Sequence, residues 1–181
     1  GANNSTSLSS PSLVIDTSRR AHIVWAITDI EILYVLLDPA LDDRDGDAGD
    51  TANMTLVSYT VADGTGVRND PDIAIDSYDG AHVVWVDTYD PQGLYFGTPL
   101  IYYTMLTFDS SGTFAVQINN SIITPALGFK GNPAVSMGAN NTVIVVWEDT
   151  RGSLVEYVGL LDTSGSMTEE WKDMCAVFYG G

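Results

Sequence analysis

Three stretches of this 181-residue chain repeat one pattern at fixed spacing. They run from Pro11 to Trp25, from Pro71 to Trp85 and from Pro133 to Trp147, and the Pro-to-Trp separation is 14 in each. The first tryptophan precedes the second by 60 residues and the second precedes the third by 62. A period of this length marks tandem copies of one supersecondary unit, each burying its apolar side against a neighbour.

Each copy has the same anatomy. The opening run (Leu13-Val-Ile15, Ile73-Ala-Ile75, Ala134-Val-Ser-Met137) is short and apolar, and a polar turn follows it. The turn leads into a run ending at the tryptophan: Ala21-His22-Ile-Val-Trp25, Ala81-His82-Val-Val-Trp85 and Val143-Ile144-Val-Val-Trp147. A polar step and a Tyr-bearing run come next, around Tyr34, Tyr103 and Tyr157. An Asp/Gly turn then precedes a fourth run at Thr55–Val61 and Phe114–Ile118. Runs of four to seven β-branched and aromatic residues separated by turn residues read as antiparallel strands. Proline at the head of each first strand is tolerated there, where no ladder hydrogen bond needs its N–H. The expectation is an all-β chain of three tandem four-stranded antiparallel units. The boundaries are a polar arm over 1–10 and repeats over 11–66, 67–128 and 129–181, the last with a short helix or a fourth strand over Thr168–Phe178.

The Pro-x-Ile-x-Ile-Asp…Gly-x-His-Val-Val-Trp-x-Asp run of the second unit resembles the blades of β-propellers, in particular sialidase-like and other six-bladed propellers of secreted microbial surface proteins. The resemblance spans residues 11 to about 165 and implies a propeller-like fold with glycan binding or cleavage as one activity. Two features of sialidases are missing. Ser77-Tyr-Asp79-Gly80 lacks the spacer of their Asp-box turn, and five arginines scattered among loops form no recognisable carboxylate clamp. Propellers close at about four to eight blades, so three units imply a piece of a longer chain, a ring completed by oligomerisation, or a different stacking.

Charge narrows the partners. Seven Lys and Arg stand against 24 Asp and Glu, a net charge of −17. Such a field repels nucleic acid and anionic lipid. No apolar run reaches the ~20 residues of a membrane span. Gly1–Ser10 is polar and uncharged, and reads as a mature or trimmed start. Nineteen of the acids are Asp, a turn and oxygen-ligand residue, and Lys130 and Lys172 are the only lysines. This composition suits an extracellular or cell-surface protein with acidic loops. Cys175 is single, so no intrachain disulfide contributes. Asn3, Asn4, Asn53, Asn119 and Asn140 open N-x-Ser/Thr sequons, the acceptor pattern for glycosylation.

Few residues present chemistry. Asp38, Asp42, Asp43, Asp45, Asp47 and Asp50 crowd one loop and form a candidate calcium site, although Ala48 occupies the glycine position of an EF-hand and no closing Glu follows. The alternative is a solvated acidic connection. His22 and His82 share one repeat position that Ile144 fills in the third copy, which points to structural histidines bonding a nearby turn rather than catalysis. The tryptophans read as core between blades, and Asp16, Asp76, Asp87 and Asp149 as turn caps. Val155–Asp162 followed by Ser164 and Ser166 is similar to the start of a von Willebrand factor type A domain, where Asp-x-Ser-x-Ser oxygens hold magnesium. Asp162-Thr-Ser-Gly165 also matches the repeat turn at Asp109–Gly112. The leading expectation is a non-enzymatic structural or interaction module that associates with itself or with other domains of a longer chain. A glycan-binding propeller and a metal-dependent adhesion module are the alternatives.

Overall fold

The structure is a computed structural model that describes residues 8–41, 54–89, 97–108, 113–124, 128–149 and 155–162, the last segment as backbone. The first sheet contains β1 (Leu8–Ile15), β2 (Ala21–Ile27), β3 (Glu31–Leu37) and β4 (Thr55–Ala62). The second contains β5 (Arg68–Ile75), β6 (Ala81–Asp87), β7 (Leu100–Phe108) and β8 (Phe114–Ile122). The third contains β9 (Lys130–Met137), β10 (Thr142–Asp149) and β11 (Val155–Asp162). Each is an antiparallel meander in which sequence neighbours pair. The fold is therefore all-β and propeller-like, as the repeat implied.

The strands β1, β5 and β9 lie side by side, and the sheets fan outward from them so that β4 and β8 barely touch. We call the sheets blades 1, 2 and 3. Alternation sends odd and even residues to opposite faces. The back face of blade 1 (Val24, Ala26, Ile32, Tyr34, Leu36) packs on the front face of blade 2 (Ile73, Val83, Trp85, Tyr102, Leu106). The back face of blade 2 (Val84, Val86, Ile101, Tyr103) packs in turn on the front face of blade 3 (Val135, Val143, Val145, Trp147). Sandwiched on both sides, β6 is buried at every residue, which is why Val83–Val86 reads as an unbroken apolar run. Burying the Trp85 side chain alone removes enough area for about 4–6 kcal/mol of transfer free energy, before the entropy of ordering it.

Two sequence expectations need correction. Trp85 and Trp147 each face the preceding blade and are core (0% and 8% exposed), while Trp25, whose face meets no blade among the described residues, is half-exposed. The prolines do not head their strands: β1, β5 and β9 begin three residues earlier, at Leu8, Arg68 and Lys130. Proline sits instead at a bulge, where pairing skips from Ser9 to Ser12 and from Asn69 to Asp72. The residue before it is left-handed in all three blades, with φ of 52° at Ser10, 48° at Asp70 and 46° at Asn132. A bulge frees the proline from any ladder bond and bends the inner strand, and the repeated positive φ marks it as part of the blade design.

Candidate functional site

The polar residues with most chemical potential form one buried network per blade in blades 1 and 2. Asp16 follows β1 and accepts the Arg20 N–H (2.8 Å) through Oδ1, which closes the β1–β2 turn. Its Oδ2 lies 3.1 Å from His22 Nε2, and the Tyr34 hydroxyl lies 2.8 Å from His22 Nδ1. Blade 2 repeats the arrangement. Asp76 Oδ1 accepts the Tyr78 and Gly80 N–H groups (2.8 Å each), Oδ2 stands 3.2 Å from His82 Nε2, and Tyr103 reaches His82 Nδ1 at 2.7 Å. A neutral imidazole satisfies all of these groups: Nε2–H donates to the carboxylate and Nδ1 accepts from the phenol.

Electrostatics agrees. Burial pushes the His22 imidazole below its ordinary pKa, against the pull of Asp16. Burial alone would raise the Asp16 carboxyl, but the Arg20 N–H, the His22 ring and the Arg20 guanidinium together hold it below the usual carboxylate range. Asp76 is likewise held low against burial by His82 and two backbone N–H groups. Burial raises both tyrosines. An Asp–His–hydroxyl series is the composition of a proton relay. Here both histidines and both tyrosines are 0% exposed. Phe108 of blade 2 packs edge-on to His22, with ring centroids 5.6 Å apart. The network is sealed between blades.

The third blade removes the whole set. Gly138 and Ile144 replace Asp and His, and a Cβ at 138 would come within 3.2 Å of Ile144 Cδ1, so the glycine makes room for the isoleucine. Register decides the third member. Tyr34 pairs with Val24 and Tyr103 with Val84, but Tyr157 pairs with Trp147, and Val158 is the residue opposite Val146. The tyrosine of the third repeat thus corresponds to Tyr102, not to Tyr103.

The front face, at the other end of the blade, carries a buried ion pair that sequence reasoning missed. Arg68 opens β5 and faces Asp87 across the ladder, with Nε 2.7 Å from Oδ2 and both side chains 3% exposed. Arg68 also donates to the Ile30 carbonyl of blade 1 (2.7 Å). Burial pushes Asp87 above the usual carboxylate range, against the Tyr89 N–H and the guanidinium. Lys130 and Asp149 repeat the pair in blade 3 at 3.1 Å, both fully buried. So Asp87 and Asp149 are ion-pair members as well as, for Asp87, a cap on the Tyr89 N–H (2.7 Å). The corresponding ladder pair in blade 1 is Leu8 with Ile27. The opposite charges three residues before Pro71 and Pro133 and two after Trp85 and Trp147, absent together around Pro11 and Trp25, were the signal.

Shorter links join the inner ends of the blades. Asp72 accepts from Ser12 Oγ of blade 1 (2.7 Å) and from the Val135 N–H of blade 3 (2.8 Å), tying three inner strands together. The left-handed residue of each turn holds the turn before it: Asp79 accepts from the Thr17 N–H and hydroxyl, and Asn141 accepts from the Ser77 N–H. Asp70 bonds Ser10 Oγ at 3.3 Å, and its carboxylate stays accessible on the bulge.

The other residues singled out from sequence are placed as follows. Asp38 caps a 3-10 turn at Pro39–Leu41 by accepting the Ala40 N–H (2.9 Å). Asp42, Asp43, Asp45, Asp47 and Asp50 lie outside the described residues. Among the described residues no group of three His, Cys, Asp or Glu side chains could hold a metal ion. Asp162 ends β11 opposite Thr142. That strand is antiparallel to β10, so it belongs to the repeat meander rather than to the parallel sheet of a von Willebrand factor type A domain. Ser164, Ser166 and Thr168–Phe178 fall outside the described residues, as do Asn3, Asn4 and Asn53. Asn119 is exposed on β8, and Asn140 lies in the turn at Ala139–Asn141. No helix among the described residues is long and apolar enough to cross a membrane.

No protein-family model and no curated protein matches the chain. Among solved structures it is similar to an endo-arabinase from Bacteroides thetaiotaomicron, with a TM-score of 0.50 at 13% identity. The match covers 89% of this chain and 57% of that one, so the chain spans little more than half of the neighbour's length. At this identity the likeness shows the propeller fold alone, and the resemblance to a von Willebrand factor type A domain finds no support.

Proposed function

We propose that the chain is a non-enzymatic structural and interaction module of an extracellular or cell-surface protein, a propeller sector that assembles through the faces of its blades. The observation that carries this reading is where its reactive side chains go. Both Asp–His–Tyr networks are sealed between blades, and the third blade substitutes Gly138, Ile144 and Val158 at the same positions. A relay that acted on a substrate would need an open hydroxyl and a converging partner. An Asp-rich, Lys-poor surface supports an extracellular setting.

A second reading, a glycan-binding propeller, is favoured by Asp70, whose accessible carboxylate sits on left-handed backbone in the innermost strand of blade 2. The endo-arabinase neighbour fits that reading at the level of fold. One assay separates the two. The purified chain is presented with arabinans and sialylated oligosaccharides, and both retention and reducing-end release are measured. The module reading expects neither. Saturable binding or turnover that disappears in Asp70→Asn overturns it in favour of the glycan reading.

A further inference from the structure

We propose that the front face of blade 1 docks onto the back face of blade 3 in a second copy of this chain, so that two copies close one six-bladed ring. The inference deepens the reading of the blade faces as assembly surfaces and rests on it.

Front faces at equivalent positions show what blade 1 lacks. Leu13 and Ile15 are 57% and 52% exposed, whereas Ile73 and Val135, which correspond to Leu13, are 5% and 8% exposed. Ile23, Trp25, Leu33 and Val35 continue the half-exposed apolar face. A blade face left open to water would be expected to carry polar residues. Blade 1 does the reverse. Its Leu8–Ile27 pair replaces the Arg68–Asp87 and Lys130–Asp149 pairs of the other two front faces.

The back face of blade 3 has lost its polar set too. Ile144 and Val146 are half-exposed there, and Gly138, Ile144 and Val158 stand in for Asp, His and Tyr. Both inner interfaces combine an Asp–His–Tyr network from the leading blade with a buried ion pair from the following one. The two open faces lack both halves of that combination together. Their joint loss is what a third kind of interface, without that network or that ion pair on either side, requires. That continuity of the repeat commits the occupant to a second copy, and six blades lie within the range at which propellers close.

The test uses the chain at 19.5 kDa and reads mass by sedimentation velocity across 0.05–1 M salt, a range set by the screening of two like-charged partners, about 10 Å at 0.1 M. A species of twice the chain mass is expected, and it strengthens with salt because each copy carries −17. Leu13→Lys blocks the front face at an exposed position, and Val146→Lys blocks the back face. Each alone weakens association at least about tenfold. An equimolar mixture of the two variants regains a dimer through the one intact front–back pair. Circular dichroism confirms that each variant folds, and Ile15→Ser serves as a milder front-face change. A wild-type chain that stays monomeric in high salt overturns the proposal, as does a dimer indifferent to Leu13→Lys. A mixture that remains monomeric excludes front-to-back pairing. None of these results bears on glycan turnover, so this proposal and the module reading fail separately.

Discussion

The Asp76–His82–Tyr103 network can be exchanged for the set that blade 3 already uses, and the cost of doing so is calculable. His82→Ala removes the ring from between two buried groups and leaves Asp76 Oδ2 and the Tyr103 hydroxyl without it. Each of the two lost bonds costs about 1–3 kcal/mol, and the vacated volume adds to that, so a central expectation is about 4 kcal/mol. For a chain of this size that lowers the melting temperature by roughly 8–16 °C. The triple change Asp76→Gly/His82→Ile/Tyr103→Val removes every member at once. It leaves no half-satisfied network, and its main loss is the two turn bonds to the Tyr78 and Gly80 N–H groups, about 1 kcal/mol each. The triple variant should therefore be more stable than His82→Ala. It should fall short of the sum of the three single changes by at least about 3 kcal/mol, the coupling expected of one network. Urea unfolding of wild type, singles and triple, followed by tryptophan fluorescence at pH 7.5, measures all the terms. Additive costs, or a His82→Ala change worth less than about 1 kcal/mol, would refute the account of the network as a single buried unit.

The remaining predictions concern pH, a glycine and the ion pair. His22 titrates below its ordinary 6.5 when folded, so as pH falls through that value the unfolded chain takes up a proton that the folded chain refuses, and stability present above it is lost. Asp16 and Asp76, held below 3.8, add a loss of the same sign at lower pH, while the raised Asp87 opposes it in part. The melting temperature should drop between pH 7.5 and 5.5, and His22→Ile should flatten that drop; a flat wild-type profile contradicts it. Gly80→Ala places a Cβ 2.7 Å from Asp76 Oδ2, which displaces the capping carboxylate and costs about 1–3 kcal/mol by urea midpoint. Asp149→Ala strands the buried Lys130 ammonium at a cost of about 3–5 kcal/mol, and Lys130→Leu/Asp149→Ile, the pair blade 1 uses, recovers most of it.

The repeat made the architecture legible. Strand type, meander order and the turn-bonded histidines follow from β-branched runs at one period, because an antiparallel blade declares itself locally. Three things were not legible, each because it depends on pairing rather than on spacing. The prolines looked like strand heads until the bulges at Ser10, Asp70 and Asn132 appeared, since a left-handed residue before proline is not suggested by composition. The sequence pattern matches the third-repeat tyrosine, Tyr157, with Tyr103, whereas ladder register puts it in the place of Tyr102. The partners of Asp87 and Asp149 lie 19 residues upstream in each case, at Arg68 and Lys130, on the far side of a hairpin that local reading does not cross. The acidic loop from Asp38 to Asp50 stands out by composition, and within it Asp38 acts as a turn cap.

Blade 2 is the only described blade that holds both an ion pair on one face and a hydrogen-bonded histidine on the other. It can follow either itself or blade 1, and precede either itself or blade 3, without stranding a charge. Duplicating residues of that middle unit would lengthen the array, whereas duplicating either neighbour would set an imidazole or an ammonium against an unprepared surface. Order along the chain is thus written into which polar groups each sheet offers its successor, and a tandem gene could grow from the inside while its ends stayed as they are.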